Sequence, residues 1–346
     1  MDAPTIALVG CMPELDKNKL FVNGYVQNVQ FFYQMLKTHM NEYTLLLINN
    51  ESDLYCNHSI DLFIQFSPFS KKQSEKIKIL HPNHKSVFVK YGHEYYNDLS
   101  RLLPDGQNAV PHSPTAYNVD EIWISPHFLS TKHYYEALYN VKTQIAPFIW
   151  SPKNLQMTPY TKDDFTNCEK NIYIVEANIN MNKTSLIPII IVNELYKIDP
   201  TSFDKVYIVS NNMYNENTYF TKWLLPKLEV LHAHHNKAYF CKKAAFPDIF
   251  KKPGILLSHQ ENWDLNYIYL EALHIRIPWV HNSPHFHKKE CGYYYHDKNI
   301  PEGVESLKKA LIDFGPVNND DIIHQYSYDN PDVISEYKDM INRLLQ

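Results

Sequence analysis

Short apolar runs suited to buried parallel strands alternate with segments of helical period from one end of the chain to the other. This alternation constrains the fold more than any other feature, because parallel strands cannot be joined by tight hairpins and need a crossover, usually a helix, between them. In the first half the strand candidates are Thr5–Gly10, Tyr43–Ile48, Asp61–Phe66, Ser86–Tyr91, Glu121–Ser125 and Gln144–Ile149. Between the first two, Val26, Val29, Phe32, Leu36 and Met40 recur at helical steps and give one helix a buried face. Further helices are expected over Glu94–Leu103, stopped by Pro104, and over Thr131–Tyr139.

From Trp150 to Asn167 the chain carries two prolines and no period, which marks an interdomain linker. A second strand series follows: Asn171–Val175, Lys205–Ser210, Ala238–Cys241, Gly254–Ser258, Ile277–His281 and Gly292–Tyr295. Its helices are expected around Thr184–Lys197, Asn217–Leu231, Leu265–His274 and Glu302–Asp313, with Pro331–Leu345 as one more amphipathic helix. A length of 346 residues is about twice the usual single-domain size. The expected architecture is therefore α/β, with Rossmann-like domains over residues 1–155 and 156–325 and a C-terminal helix, residues 326–346, that packs back on the first.

Composition removes several function classes. A formal charge of −5 gives no global attraction to nucleic acid or anionic lipid. The five cysteines are odd in number and never form a C-x-x-C pair, so they read as reduced thiols. The opening residues run straight into an apolar strand with no basic leader, and the longest aliphatic run, Ile187–Val192, is interrupted by Pro188. A cytoplasmic protein without a membrane span is expected, with peripheral association left open and no pattern that sets an oligomeric state. P-loop, dinucleotide and hydrolase-elbow motifs are all missing. The run His232, His234 and His235 lacks the spacing of a metal site, so no metal is expected.

In an open parallel sheet, ligands sit beyond the carboxyl ends of the strands, and the loops there are unusually polar in this chain. Asn23, Gly24, Gln27 and Asn28 gather at the start of the first helix, where free N–H groups suit an anionic or hydroxyl-rich ligand; capping is the competing explanation. Glu176, Asn178, Asn180 and Asn182 lead to Lys183 at a helix start, where an ammonium would add to the N–H groups in holding a diphosphate. The densest turn carries His259, Gln260, Glu261, Asn262 and Asn266, with Glu271 one turn or more inside the helix that follows. A carboxylate at Glu271 can accept two ribose hydroxyls. Asn282 and Ser283 end the next strand and supply short hydrogen-bonding side chains.

The segment from Ser258 to Tyr295 resembles the donor-binding half of GT-B glycosyltransferases. Nearly the whole chain resembles a glycosyltransferase-like family known chiefly as a domain of unknown function, through NGYVQN at Asn23–Asn28, YGHEY at Tyr91–Tyr95, IWSP at Ile149–Pro152 and EANINMNK at Glu176–Lys183. The resemblance implies a GT-B fold, two Rossmann-like domains facing across a cleft, and transfer of a sugar from a UDP- or GDP-sugar to a glycan acceptor. It implies no cofactor, and no metal, in agreement with the missing D-x-D motif. In retaining members the second of two glutamates binds the donor ribose, which by position is Glu271. The first would be Glu261, although nine residues separate the pair rather than seven and strict spacing falls on Trp263. Lys183 matches the basic residue on the diphosphate, with an asparagine-rich turn where an arginine is usual. Glu176, Asn178, His259, Asn262, Asn266, Asn282 and Ser283 complete the expected donor side; His93 and Glu94, after the strand SVFVKY, join Glu261 as catalytic candidates. Asn23, Gly24, Gln27 and Asn28 are expected on the acceptor side. A non-catalytic nucleotide-sugar-binding module and a sugar-nucleotide epimerase remain alternatives.

Overall fold

The computed structural model describes residues 3–10, 21, 24–55, 59–102, 117–178, 181–209, 217–232 and 237–346. Asn23, Asn180, His234 and His235 lie outside them, as does the side chain of Glu94. The chain divides into two compact units, Met1–Ser151 with His324–Gln346, and Pro152–Ile323.

The first unit is built on a parallel sheet of β1 (Thr5–Val9), β2 (Thr44–Ile48), β3 (Leu62–Gln65), β4 (Lys85–Lys90), β5 (Glu121–Ile124) and β6 (Lys142–Ile145), in the order β2-β1-β3-β4-β5-β6. Its central strands are apolar on both faces: Ile6, Ala7, Leu8, Leu62, Phe63, Ile64 and Ile122 are fully buried, as in a sheet covered by helices on each side. The first long helix, α1 (Gly24–His39), buries Val29, Phe32, Met35 and Leu36, together with the amide-bearing Gln27, Asn28 and Gln30. The strand expected over Gln144–Ile149 is displaced toward its start and ends at Ile145, because Pro147 has no N–H to continue a ladder.

The C-terminal residues belong to this unit. Asn330 caps the helix Pro331–Leu345 by accepting the Asp332 N–H at 2.9 Å. Tyr337 packs edge-on against Phe32 at 5.0 Å and donates its hydroxyl to the Pro147 carbonyl at 2.6 Å. Arg343 reaches the nearly buried Glu121 at 2.8 Å.

The second unit repeats the plan with β7 (Ile172–Val175), β8 (Val206–Val209), β9 (Ala238–Cys241), β10 (Ile255–Leu257), β11 (Trp279–His281) and β12 (Tyr293–Tyr294), in the order β12-β11-β10-β7-β8-β9 and all parallel. One core joins Ile172, Ile174, Ile208, Ile255 and Leu257 of the sheet to Ile189, Val192 and Leu195 of the helix Leu186–Ile198 and Leu307 and Leu311 of the helix Ile300–Ile312. Two glycines permit close approach. A Cβ on Gly254 would lie 2.3 Å from the Tyr173 ring, and one on Gly303 would lie 2.5 Å from Ile191.

The single helix expected over Asn217–Leu231 is instead a π turn, Phe220–Leu224, followed by two 3-10 turns, Leu225–Lys227 and Glu229–Leu231. Pro226 lacks the N–H that an uninterrupted α-helix would use there. Among the described residues no helix is long and apolar enough to cross a membrane.

Candidate functional site

The strand order of the second sheet sets β11, β10 and β7 side by side, so the turns that leave their carboxyl ends adjoin one another. Glu176, the first residue past β7, is 1% exposed and joins two of them. Its Oε1 accepts the Ser258 hydroxyl at 2.5 Å and the His259 N–H at 3.3 Å, and its Oε2 accepts the Gln260 amide at 2.9 Å. Asn282, past β11, clamps the Gln260 backbone from the other side, accepting its N–H at 2.9 Å and donating to its carbonyl at 3.0 Å. Asn182 donates to the Glu261 carbonyl at 2.8 Å, while the Glu261 N–H donates back to the Asn182 carbonyl at 2.9 Å. Lys183 and Gln260 then pair as an isolated antiparallel bridge. Donors and acceptors placed this way inside a dry turn fix its geometry before any ligand arrives.

Asn178 sits at φ 52°, a left-handed conformation that asparagine tolerates better than most residues. Its side chain accepts the Ser185 N–H at 2.7 Å and donates to the Ser185 hydroxyl and the Glu176 carbonyl, both at 3.0 Å. These bonds close the 178–185 loop and set Lys183 at its end. The Lys183 ammonium lies 3.7 Å from the centroid of the Trp263 ring, a cation–π contact. Burial pushes the Glu176 carboxyl well above its usual range, against the pull of the Ser258 hydroxyl and the Lys183 ammonium. The same burial draws Lys183 below the usual lysine value, against the attraction of Glu176. Each charge therefore compensates the other in part, and a diphosphate at this turn would compete with Glu176 for the ammonium.

Several of the expected donor-side residues are engaged in the turns themselves. Asn266 caps the helix Tyr267–His274 by accepting the Ile268 N–H at 3.3 Å and donates to the Gln260 side chain at 2.7 Å. Ser283 accepts the Phe286 N–H at 3.3 Å and donates to the Asp264 carbonyl at 2.7 Å. Asn262 is exposed at φ 52°, the corner of the turn. Glu271 is 4% exposed, inside the helix that Asn266 caps. His281 accepts the Ser283 N–H on Nδ1 at 3.1 Å and meets the Cys291 carbonyl through Nε2 at 2.8 Å, which fixes the neutral tautomer with its proton on Nε2. Burial lowers it to about 3.

Glu261 contacts His259 Nε2 at 3.0 Å and Lys298 Nζ at 2.8 Å, and these partners hold its carboxyl down at about 2. His259, Glu261 and Asp297 bring ligand-type atoms within 4.8 Å of one another, and the Lys298 ammonium stands 2.8 Å from each of the two carboxylates. Lys298 had no signal in the local sequence, because its partner Glu261 is 37 residues away. Asp264 was likewise missed. It is half-buried, its carboxyl is raised by that burial, and no hydrogen bond or ion pair ties its side chain among the described residues.

In the first unit, Gly24 opens α1, and Gln27 and Asn28 are buried in its first turns. His93 follows β4 and is 3% exposed; its ring lies 4.5 Å from Tyr96 and 5.2 Å from Phe128, and burial lowers it to about 4. Its Nδ1 has no hydrogen-bond partner among the described residues. Glu94 is the first residue of the helix Glu94–Leu102. Ser125 was missed by sequence reasoning: it follows β5, the neighbour of β4, is 1% exposed, and its hydroxyl too has no partner among the described residues. A polar residue directly after an apolar strand is the signal that could have found it.

The fold is that of GT-B glycosyltransferases. A trehalose-6-phosphate structure from E. coli bound with UDP-2-fluoro glucose superposes with a TM-score of 0.57 at 10% identity, over 99% of this chain and 99% of that one. The N-terminal domain of Candida albicans trehalose-6-phosphate phosphatase gives 0.55 at 9% identity, over 100% and 97%. The pneumococcal O-GlcNAc transferase GtfA, in complex with UDP and GlcNAc, gives 0.47 at 13% identity, over 83% of this chain; the match spans 57% of GtfA. No curated protein sequence matches. Residues 9–343 match the family described as protein of unknown function (DUF2827), and the chain belongs to that family.

Proposed function

We propose that the chain is a metal-independent glycosyltransferase that holds a UDP- or GDP-sugar at the turns after β7, β10 and β11 and transfers the sugar to a glycan or another hydroxyl acceptor. The observation that carries this reading is the lacing of Glu176, Gln260 and Asn282 into one prebuilt rim that holds Lys183 at the end of its loop. Lys183 would stabilise charge as it develops on the leaving diphosphate, the largest contribution expected of such a site. Glu271 is assigned to the ribose. Asp264, the carboxylate of the turn without an internal bond, is assigned to hydroxyls of the transferred sugar. On the acceptor side, the open Nδ1 of His93 and the hydroxyl of Ser125 join Gly24, Gln27 and Asn28. Burial keeps His93 neutral at physiological pH, which suits its ring to hydrogen-bond an acceptor hydroxyl.

A second reading, a binding module without turnover, is favoured by one feature: both Glu261 oxygens are already engaged by His259 and Lys298, which leaves a donor sugar only part of their accepting capacity. Incubation with UDP-glucose, UDP-N-acetylglucosamine and GDP-mannose, with and without sugar acceptors, separates the two. Release of nucleoside diphosphate above the enzyme-free rate is expected of the transferase. Donor binding without release is expected of the module.

A further inference from the structure

His259 stands in the middle of the turn after β10, buried, with both ring nitrogens engaged. Nδ1 is 3.0 Å from the Tyr295 hydroxyl and Nε2 is 3.0 Å from Glu261 Oε1. The Tyr295 hydroxyl also lies 3.1 Å from the Ser258 carbonyl, which can only accept. A phenol has one proton, so the bond to Ser258 makes Tyr295 the acceptor toward His259, and Nδ1 must carry hydrogen. Glu261, paired with the Lys298 ammonium at 2.8 Å, is a carboxylate and can only accept, so Nε2 must carry hydrogen as well. The alternative, with Tyr295 donating to the ring, takes the phenol proton away from the carbonyl of a fully buried residue.

We propose that His259 is a doubly protonated positioning residue, an imidazolium fixed between Tyr295 and Glu261, with Lys298 locking Glu261 in place. The proposal rests on the donor-binding reading above and deepens it. The charged and titratable groups facing His259 are Glu261, Lys298, Asp297, Tyr295 and Glu176, which accepts the His259 backbone N–H at 3.3 Å and has Lys183 behind it. With a neutral ring, the carboxylates of Glu261 and Asp297 outweigh the Lys298 ammonium and leave an anion beside the turn. With an imidazolium the cluster is neutral and adds no net repulsion to a diphosphate drawn by Lys183. His259 thereby supplies buried positive charge without touching the ligand.

The test is a nitrogen–proton spectrum of the histidine rings of the full chain, labelled with 15N-histidine, at about pH 7.5. Two ring N–H protons are expected for His259, assigned by their loss in His259→Gln or, if that chain does not fold, by through-bond correlation in the parent. Tyr295→Phe should leave one ring N–H and weaken UDP binding by about tenfold. A single ring N–H in the parent overturns the proposal whether or not UDP binds. Two ring protons in a chain that binds neither UDP nor GDP overturn the donor reading and the role assigned to the charge with it.

Discussion

At the carboxyl end of the second sheet, Glu176, Gln260, Asn266 and Asn282 hydrogen-bond one another, whereas at the carboxyl end of the first sheet His93 Nδ1 and Ser125 Oγ are buried without partners among the described residues. The first arrangement fixes a shape in advance. The second leaves bonding capacity for water or a ligand to complete, at a cost of about 1–3 kcal/mol for each unmet group. A transferase that grips one donor diphosphate but admits a variable hydroxyl acceptor would gain from that division: preorganisation where charge develops, open valence where the partner binds.

The largest effect is expected where the interlocking is removed. Glu176→Ala leaves Lys183 without its counter-charge and orphans the Ser258, His259 and Gln260 donors, so urea unfolding should show a loss of about 3–5 kcal/mol. An unchanged midpoint would mean that the second-unit network is not the tightly interlocked region of the comparison.

Acid should loosen both regions. The unfolded chain takes up a proton on histidine near 6.5, but folded His93 resists it to about 4 and His281 to about 3. The stability that neutral His93 contributes is therefore complete above about pH 6.5 and is lost as pH falls toward 4, by at most about 1.4 kcal/mol per pH unit. Chemical unfolding across that range should show the slope, and His93→Asn should remove its share while leaving that of His281.

Although the helix Lys71–Leu80 between β3 and β4 went unread, most of the strands were readable because fully buried parallel strands announce themselves as apolar runs, and the crossovers after β1, β4, β5, β7 and β10 had a helical period. The segment 217–231 was not, since a π turn and an α-helix present nearly the same apolar spacing until Pro226 intervenes. Within the site, composition disclosed which turns were polar but not which side chains bond each other. Asn178 and Asn282 look like ligand-facing amides in sequence and serve the backbone in the fold. Asp264 has no sequence mark at all, because what distinguishes it is the missing partner.

Two smaller changes sharpen the comparison. Gly254→Ala would drive a methyl group into the Tyr173 ring and displace β10 beneath the interlocked turn, with an expected stability loss of about 1–3 kcal/mol by thermal unfolding. Asp264→Asn removes a half-buried, unbonded charge and should change stability by no more than about 0.5 kcal/mol, while weakening binding of UDP-glucose more than that of UDP. Equal weakening of both ligands would remove Asp264 from the sugar.

Calorimetric titration of UDP and GDP into the parent and into Lys183→Ala reads the donor assignment most directly. Saturable binding of one nucleotide by the parent, weakened by about tenfold to a hundredfold in a variant that still unfolds cooperatively, is the expected result. A parent that binds neither nucleotide, or a variant that binds as tightly as the parent, would contradict it.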